Sequence, residues 1–369
     1  MYTNIPKLGF GLMRLPMCGE SVDIEQTKLM VDRFIEAGFT YFDTARGYIG
    51  GLSERAVKDA ISSRYDRASF LLADKYSWWC VEDGDNEGFF ASQLERTGVE
   101  YFDFYLIHSL TESSYEKYNE RGAFEFCADL KKRGLIKNFG FSFHDKAEFL
   151  DKVLTEHPEV DFVQLQINYL DWESEGVQSR LCYETARKHG KSIVIMEPVK
   201  GGALAVLPEE GRRMAAAVAP DKSPASLAIR FAASLDGVIT VLSGMSDRSQ
   251  AEDNIATMSE FAPLNEAETE AVAAIAELLN SIPTVGCTAC KYCTEKCPME
   301  INIPSIIRGA YNSYLTYDNL ALSKGRYKDI TKGGALASAC IGCGACMEVC
   351  PQEIAIPEYM MKASALFED

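Results

Sequence analysis

The sequence predicts an α/β chain, a (β/α)8 TIM barrel followed by a small, largely helical, cysteine-rich domain. Three observations carry that expectation. Short apolar runs recur about every 30 residues, each followed by an amphipathic stretch of helical period. Eight such units fill about 250 residues, the size of a closed parallel barrel. Beyond residue 286 the pattern changes, and eight of the twelve cysteines crowd into two groups. The segment Ser281-Ile282-Pro283-Thr284 marks the change, which sets the domains at 1–282 and 283–369.

Taken in order, strands are expected at Leu8–Met13, Tyr41–Thr44, Phe70–Lys75, Phe104–His108, Lys137–Ser142, Phe162–Asn168, Ser192–Glu197 and Val238–Ser243. Between them lie helical patterns such as Ile24–Ala37 and Ser226–Leu235. An open doubly wound sheet is the structural rival. It would carry G-x-G-x-x-G after its first strand, and this sequence has no such run there.

Hydrophobic residues make up 47% of the 369, enough for a large core and against disorder. The net charge of −17 repels phosphate backbones, so nucleic acid is not an expected partner. No apolar run approaches the ~18 residues of a membrane span, so no membrane is expected either. The start, Met1 to Lys7, lacks a basic stretch followed by an apolar one, and a cytoplasmic protein is expected. In that compartment twelve cysteines point to metal rather than to disulfides.

The two groups read Cys287-x2-Cys290-x2-Cys293-x3-Cys297-Pro298 and Cys340-x2-Cys343-x2-Cys346-x3-Cys350-Pro351. Three thiolates at two-residue gaps wrap one corner of a [4Fe–4S] cubane, and the fourth, past the longer gap, ligates the other cluster. One cluster is therefore assigned to Cys287, Cys290, Cys293 and Cys350, and the other to Cys340, Cys343, Cys346 and Cys297. Zinc is the competing reading, but it uses two C-x2-C pairs around one ion. Cys18, Cys80, Cys127 and Cys182 are scattered and read as inert buried thiols. The 42 residues between Cys297 and Cys340 hold Tyr311, Tyr314, Tyr317 and Tyr327, and suggest a helical variant of the ferredoxin arrangement. These tyrosines either cover the clusters or meet a partner, with covering favoured because aromatic surface packs.

In a (β/α)8 barrel the chemistry sits at the C-terminal strand ends. There the sequence puts Asp43, Lys75 and His108, with Tyr48 just past the second strand. This set suits proton-coupled hydride transfer to a carbonyl. Tyr48 would be the general acid, Lys75 would lower its pKa, Asp43 would hold Lys75, and His108 would orient the substrate oxygen.

The run Phe42-Asp43-Thr44-Ala45-x-x-Tyr48-x-Gly50-Gly51-x-Ser53-Glu54, with Lys75 and Tyr105-Leu106-Ile107-His108-Ser109, resembles the aldo-keto reductases. The likeness spans roughly the first 260 residues, and the cysteine domain makes the chain similar to a ferredoxin-bearing branch of that superfamily. The resemblance implies a barrel that binds NADPH, or less often NADH, with Asp43, Tyr48, Lys75 and His108 as the catalytic tetrad. It implies Ser142 and Gln164 at the nicotinamide carboxamide. It also implies Ser243, Gly244, Ser246, Arg248, Gln250 and Asn254 around the phosphates and adenine. The sequence departs from the family at Gln250, where many members have arginine, at Phe143, where many have asparagine, and at Met196, where many have tyrosine. Gly201-Gly202 reads either as a pyrophosphate turn or as a plain loop. Trp78 and Trp79 read equally as pocket wall and as core. His144 falls soon after the fifth strand, His157 and His189 read as surface residues, and the long connection Pro208–Pro224 is a candidate pocket wall.

The expected function is that of an NAD(P)H-dependent oxidoreductase acting on a small carbonyl or alcohol, coupled to or docked through the two-cluster domain. A hydride carries two electrons and a cluster moves one. The alternative is therefore an iron–sulfur electron-transfer enzyme that does not use nicotinamide as hydride donor. A redox partner protein, a ferredoxin or a flavoprotein, fits either reading. A third reading keeps the clusters as structural staples or a redox sensor on a non-enzymatic scaffold.

Overall fold

The computed structural model describes residues 5–368. The chain divides into two compact units. The first runs to Gly201 and resumes over Ala225–Thr269; the second comprises Gly202–Pro224 and Glu270 onward.

The first unit is a closed parallel barrel of eight strands: β1 Leu8–Gly11, β2 Tyr41–Asp43, β3 Leu71–Tyr76, β4 Phe102–Leu110, β5 Ile136–Phe143, β6 Phe162–Gln166, β7 Ser192–Met196 and β8 Val238–Gly244. Each strand pairs with its sequence neighbours, and β8 closes on β1 with Phe10 opposite Ser243. All eight expected strands are present. The first stops at Gly11, because Leu12–Arg14 turn into a 3-10 helix, and a small antiparallel pair, Met17–Cys18 with Ser21–Val22, follows unannounced by any run of alternation.

Alternation along the strands sorts the side chains. Tyr41, Phe104, Leu106, Phe162, Val194 and Leu242 fill the barrel interior. Phe10, Phe42 and Phe139 face the helical layer. Gly140 makes room for this: a Cβ there would lie 2.6 Å from the Phe162 carbonyl oxygen and from its ring. Outside, helix Ile24–Glu36 is started by Asp23, whose carboxylate accepts the Gln26 amide at 3.0 Å. It buries Met30, Val31 and Phe34, and the Phe34 ring lies 5.5 Å from Phe10 and 5.3 Å from Phe42. Each such fully buried side chain contributes about 1.5–3 kcal/mol.

The second unit is helical, as expected, with Ile303–Ser305, Ile306–Tyr311, Asn312–Tyr317 and Leu320–Thr331 filling the interval between the cysteine groups. Its core joins Ile301, Ile303, Ile307, Ile356, Met360 and Phe367 to Tyr311 and Tyr327. The tyrosines are thus packing residues; Tyr317 is buried and Tyr314 half-buried as well. The Pro208–Pro224 connection, a candidate pocket wall, folds in part as helix Glu209–Val218 and groups with this second unit. Its two leading glutamates sit at the helix end where negative charge is favoured. No helix among the described residues is long and apolar enough to cross a membrane.

Candidate functional site

Three neighbouring strands bring the four predicted residues together. Asp43 ends β2, Lys75 lies near the end of β3 and His108 lies in β4. The ammonium of Lys75 sits 2.7 Å from Asp43 Oδ1 and donates to the Thr44 carbonyl at 2.8 Å, with both charged side chains buried. Gln164, from β6, reaches across the barrel and donates to Asp43 Oδ2 at 3.2 Å. The Lys75 Nζ lies 4.8 Å from the centre of the Tyr48 ring, and that ring meets His108 edge-on at 5.7 Å. His108 Nδ1 is held by the Ser77 hydroxyl at 2.8 Å, and its backbone carbonyl accepts from Tyr118.

The Tyr48 loop is held by groups to which the sequence reading gave no role. It passes through left-handed backbone at Ile49, Gly50 and Gly51 (φ 51°, 60° and 86°), which two glycines tolerate. Glu54, fully buried, takes Arg46 at 2.8 Å and also Arg96, and Arg96 in turn donates to the Gly51 carbonyl. Gln93 links this clamp to Lys75: its amide donates to Glu54 at 3.3 Å and to the Lys75 carbonyl at 3.0 Å, while Tyr105 donates to its oxygen at 2.6 Å. One signal was readable. Glu54 occupies the core face of its short helix beside Ser53, Ala56 and Val57, a place where an unpaired carboxylate would not survive.

Burial dominates the electrostatics. It pushes the Tyr48 phenol up to about 12; Lys75 opposes this and Asp43 adds to it. The expected pull from Lys75 is present, but desolvation outweighs it. Burial works against the charge on Lys75, yet Asp43 and Tyr48 more than offset it and the ammonium is held above its ordinary value. His108 falls well below the usual imidazole range, through burial first and then the charge of Lys75. Tyr48 therefore keeps its proton, Lys75 stays charged and His108 stays neutral near pH 7. Behind Lys75, Asp74 is driven well above the carboxylate range by burial and by Glu54, and its Oδ2 has no hydrogen-bond partner among the described residues.

Ser142 and Gln164 are register partners on β5 and β6, and the Ser142 hydroxyl accepts the Ser109 amide at 2.7 Å. The other predicted nucleotide residues gather at the end of β8 and the start of helix Arg248–Ser259. Asn254 donates to the Ser243 hydroxyl at 2.9 Å in a buried pair. Gly244 lies against the Arg14 side chain, whose Cδ would be 3.3 Å from an added Cβ. Asp247 caps the helix through the Gln250 amide, and Gln250 in turn accepts the Ser246 amide at 2.9 Å. Arg248 is exposed and loosely paired with Glu252 at 3.7 Å. Phe143 is buried and stacks 6.0 Å from Phe149 in the helical layer. Trp78 packs on the core beneath Lys117, whereas Trp79 is half-exposed and 5.2 Å from His108.

In the second unit the cysteines line two separate cavities. Cys287, Cys290, Cys293 and Cys350 line one; Cys297, Cys340, Cys343 and Cys346 line the other, the crossed grouping expected from spacing. Ile303 and Ile356 line both cavities and form a shared apolar wall. Four thiols around a space suit a polynuclear cluster. A single zinc at ~2.3 Å from each sulfur would need them drawn to a point. The chain repeats here: Cys297-Pro298-x-Glu300-Ile301-x-Ile303-Pro304 matches Cys350-Pro351-x-Glu353-Ile354-x-Ile356-Pro357, and both glutamates take left-handed backbone (φ 53° and 50°). Of the remaining cysteines, Cys127 and Cys182 are buried as expected, Cys80 is intermediate and Cys18 is exposed on the small antiparallel pair.

Residues 7–277 match the profile of the aldo/keto reductase family. The chain belongs to the aldo/keto reductase family. Residues 286–355 of this aldo/keto reductase match a 4Fe-4S dicluster domain. Its relatives include an uncharacterized oxidoreductase, YqkF, of Bacillus subtilis, 27% identical over 292 residues that cover 68% of this chain and 87% of that one. An aldo-keto reductase of Mycolicibacterium vanbaalenii is 29% identical over 253 residues, covering 66% and 80%. Among solved structures, the holo form of aldo-keto reductase AKR11C1 from Bacillus halodurans has the same fold, with a TM-score of 0.60 and 24% identity over 73% of this chain and 92% of that one. The aldo-keto reductase from Klebsiella pneumoniae in complex with NADPH gives 0.59 at 18% identity, over 73% and 91%.

Proposed function

We propose that this aldo/keto reductase transfers hydride between NADPH or NADH and a small carbonyl or alcohol, with Tyr48 as general acid, and that residues 283–369 carry two [4Fe–4S] clusters. The observation that carries the first half is the buried Lys75 held between Asp43 and the Tyr48 ring with His108 at its edge. A bound nicotinamide supplies the hydride. The chain's own groups do the rest. Tyr48 holds a proton at its phenol oxygen and, at about 12, keeps it loaded at neutral pH. Lys75 stabilises the phenolate left when that proton moves, and Asp43 with Gln164 keeps Lys75 in place. His108, neutral and aimed by Ser77, offers a hydrogen bond to the substrate oxygen. Ser142 and Gln164 would hold the carboxamide end. Ser243, Gly244, Ser246, Arg248, Gln250 and Asn254 would hold the phosphate end, with Arg248 as the cation.

The second half rests on the donor chemistry. Cys287, Cys290, Cys293 and Cys350 would hold one cluster, and Cys340, Cys343, Cys346 and Cys297 the other, each exchanging single electrons with a partner protein such as a ferredoxin or flavoprotein. We place the protein in the cytoplasm, where thiols stay reduced. An anaerobic titration with NADPH and then NADH, following nucleotide fluorescence and cluster absorbance together, tests the whole. Tight binding of one nucleotide with reduction of an aldehyde is expected. Failure of the holo-protein to bind either would overturn the reading.

One observation favours electron transfer without nicotinamide: Phe143, where many family members have asparagine, is buried, stacks 6.0 Å from Phe149 and carries no amide to offer a carboxamide. On that reading reduced ferredoxin alone would support turnover. Turnover only with nucleotide excludes it.

A further inference from the structure

The two cysteine cavities are related by the repeat in the chain. Residues 287–304 and 340–357 correspond position for position, and every residue lining the first cavity has its counterpart in the lining of the second. The backbone follows suit. Helices Tyr292–Glu295 and Ala345–Glu348 occupy the same place in each copy, and the left-handed residues Ala289, Lys291 and Glu300 fall opposite Gly342, Gly344 and Glu353. Exposure is matched as well: Cys290 and Cys343 are exposed, Cys293 and Cys346 are buried, and the other four cysteines are intermediate. Backbone course and solvent access thus do not distinguish the two sites.

Side-chain polarity does. Thr288, Lys291 and Gln352 line the first cavity, and their counterparts in the second are Ile341, Gly344 and Met299. Among the described residues no side-chain nitrogen or oxygen lines the second cavity. Thr294 follows Cys293, and Met347 stands in its place after Cys346. The Thr294 hydroxyl oxygen is buried and makes no other hydrogen bond among the described residues; burial pushes the Cys293 thiol up, and this hydroxyl pulls the other way. Lys291 stands where lysine is disfavoured. It takes φ 67°, a backbone that glycine accepts freely, as Gly344 does at 79°. One charge acts in the opposite sense: Lys296 precedes Cys297 of the second set, but it lines neither cavity.

Reducing a [4Fe–4S] cluster by one electron adds one negative charge to it. A cation and hydroxyl or amide donors beside the sulfurs stabilise that charge and raise the potential, and an apolar wall does not. We propose that Thr288, Lys291, Thr294 and Gln352 make the cluster of Cys287, Cys290, Cys293 and Cys350 the easier of the two to reduce, so that the first electron to enter the domain rests there and the Cys340 cluster is the stronger reductant. One electron leaves a one-electron donor and one cluster gains it; no bond is made or broken. The inference rests on the two-cluster reading, so iron is counted first on the anaerobic holo-protein, which is then titrated with dithionite against mediators and followed by electron paramagnetic resonance. Two one-electron steps are expected, about 10-fold or more apart in their reduction equilibria, which is ~59 mV. The second copy supplies the variants. Lys291→Gly should make the first step about 5-fold less favourable, less so at high salt, and leave the second in place. Thr288→Ile, Lys291→Gly and Gln352→Met together should bring the two steps to within about 3-fold, and Thr294→Val should lower the first step alone. Two clusters reduced together in the unaltered protein overturn the inference, as does a swap that moves only the second step. Iron for a single cluster brings down the two-cluster reading and the ordering with it.

Discussion

The barrel site and the cysteine cavities draw on very different spans of chain. In the barrel, the Lys75–Asp43 pair joins residues 32 apart and the Gln164–Asp43 bond joins residues 121 apart, so the site exists only once eight strands have closed. In the second unit, three of each four cysteines come from a single short run, and the fourth crosses over from the other copy of the repeat. The linings differ too. The barrel site keeps full charges in a buried setting and balances them in pairs, whereas the cysteine cavities have isoleucine, proline and methionine for walls. A site of the first kind responds to changes anywhere in its ring of partners; a site of the second kind responds to its own ligands.

That contrast can be broken or sharpened experimentally, and the largest effect should come from the buried charge pair. Lys75→Met leaves the Asp43 carboxylate buried without its cation and should lower stability by about 3–5 kcal/mol, read by urea denaturation. A loss below about 1 kcal/mol would show that the barrel site is not charge-balanced as described. Tyr48→Phe keeps the ring and removes only the proton donor. Turnover should fall about 100-fold or more with nucleotide affinity almost unchanged; a collapse of binding would make Tyr48 structural. Cys297→Ser tests the crossing of ligands. Iron content and the visible spectrum should show damage to the cluster otherwise held by Cys340, Cys343 and Cys346, with the other cluster intact; loss confined to the Cys287 group would refute the crossed assignment.

Glu54→Gln should be milder. It takes the charge from the clamp on the Tyr48 loop but keeps its shape, so kcat should fall about 10-fold while nucleotide affinity holds. An unchanged kcat would mean the loop keeps its geometry unaided. The smallest effect is in pH. His108 is kept neutral in the fold, and the unfolded chain protonates it below about 6.5, so acid favours the unfolded state. Stability should therefore fall as pH drops below about 6.5, by at most about 1.4 kcal/mol per pH unit from this group, and His108→Asn should flatten that slope.

Much of the site was legible because its residues sit at strand ends, and strand ends show in the apolar runs. Asp43, Tyr48, Lys75 and His108 were placed this way, and the crossed cysteine sets came from spacing alone. Glu54, Gln93 and Ser77 were not given roles, because each is defined by a partner far along the chain: Arg96, Lys75 and His108. That Pro208–Pro224 groups with the second unit was not legible for a similar reason. Its composition shows a loop and a helix, but not which core they join.

The amino-acid order alone determined the barrel, the helical character of the second unit and the grouping of eight cysteines, since periodicity and short spacings are local properties of a chain. Only the tertiary structure decided that Tyr48 holds its proton more tightly than free tyrosine despite the neighbouring ammonium. The sign of that shift is a contest between desolvation and charge, and desolvation depends on everything that closes around the ring.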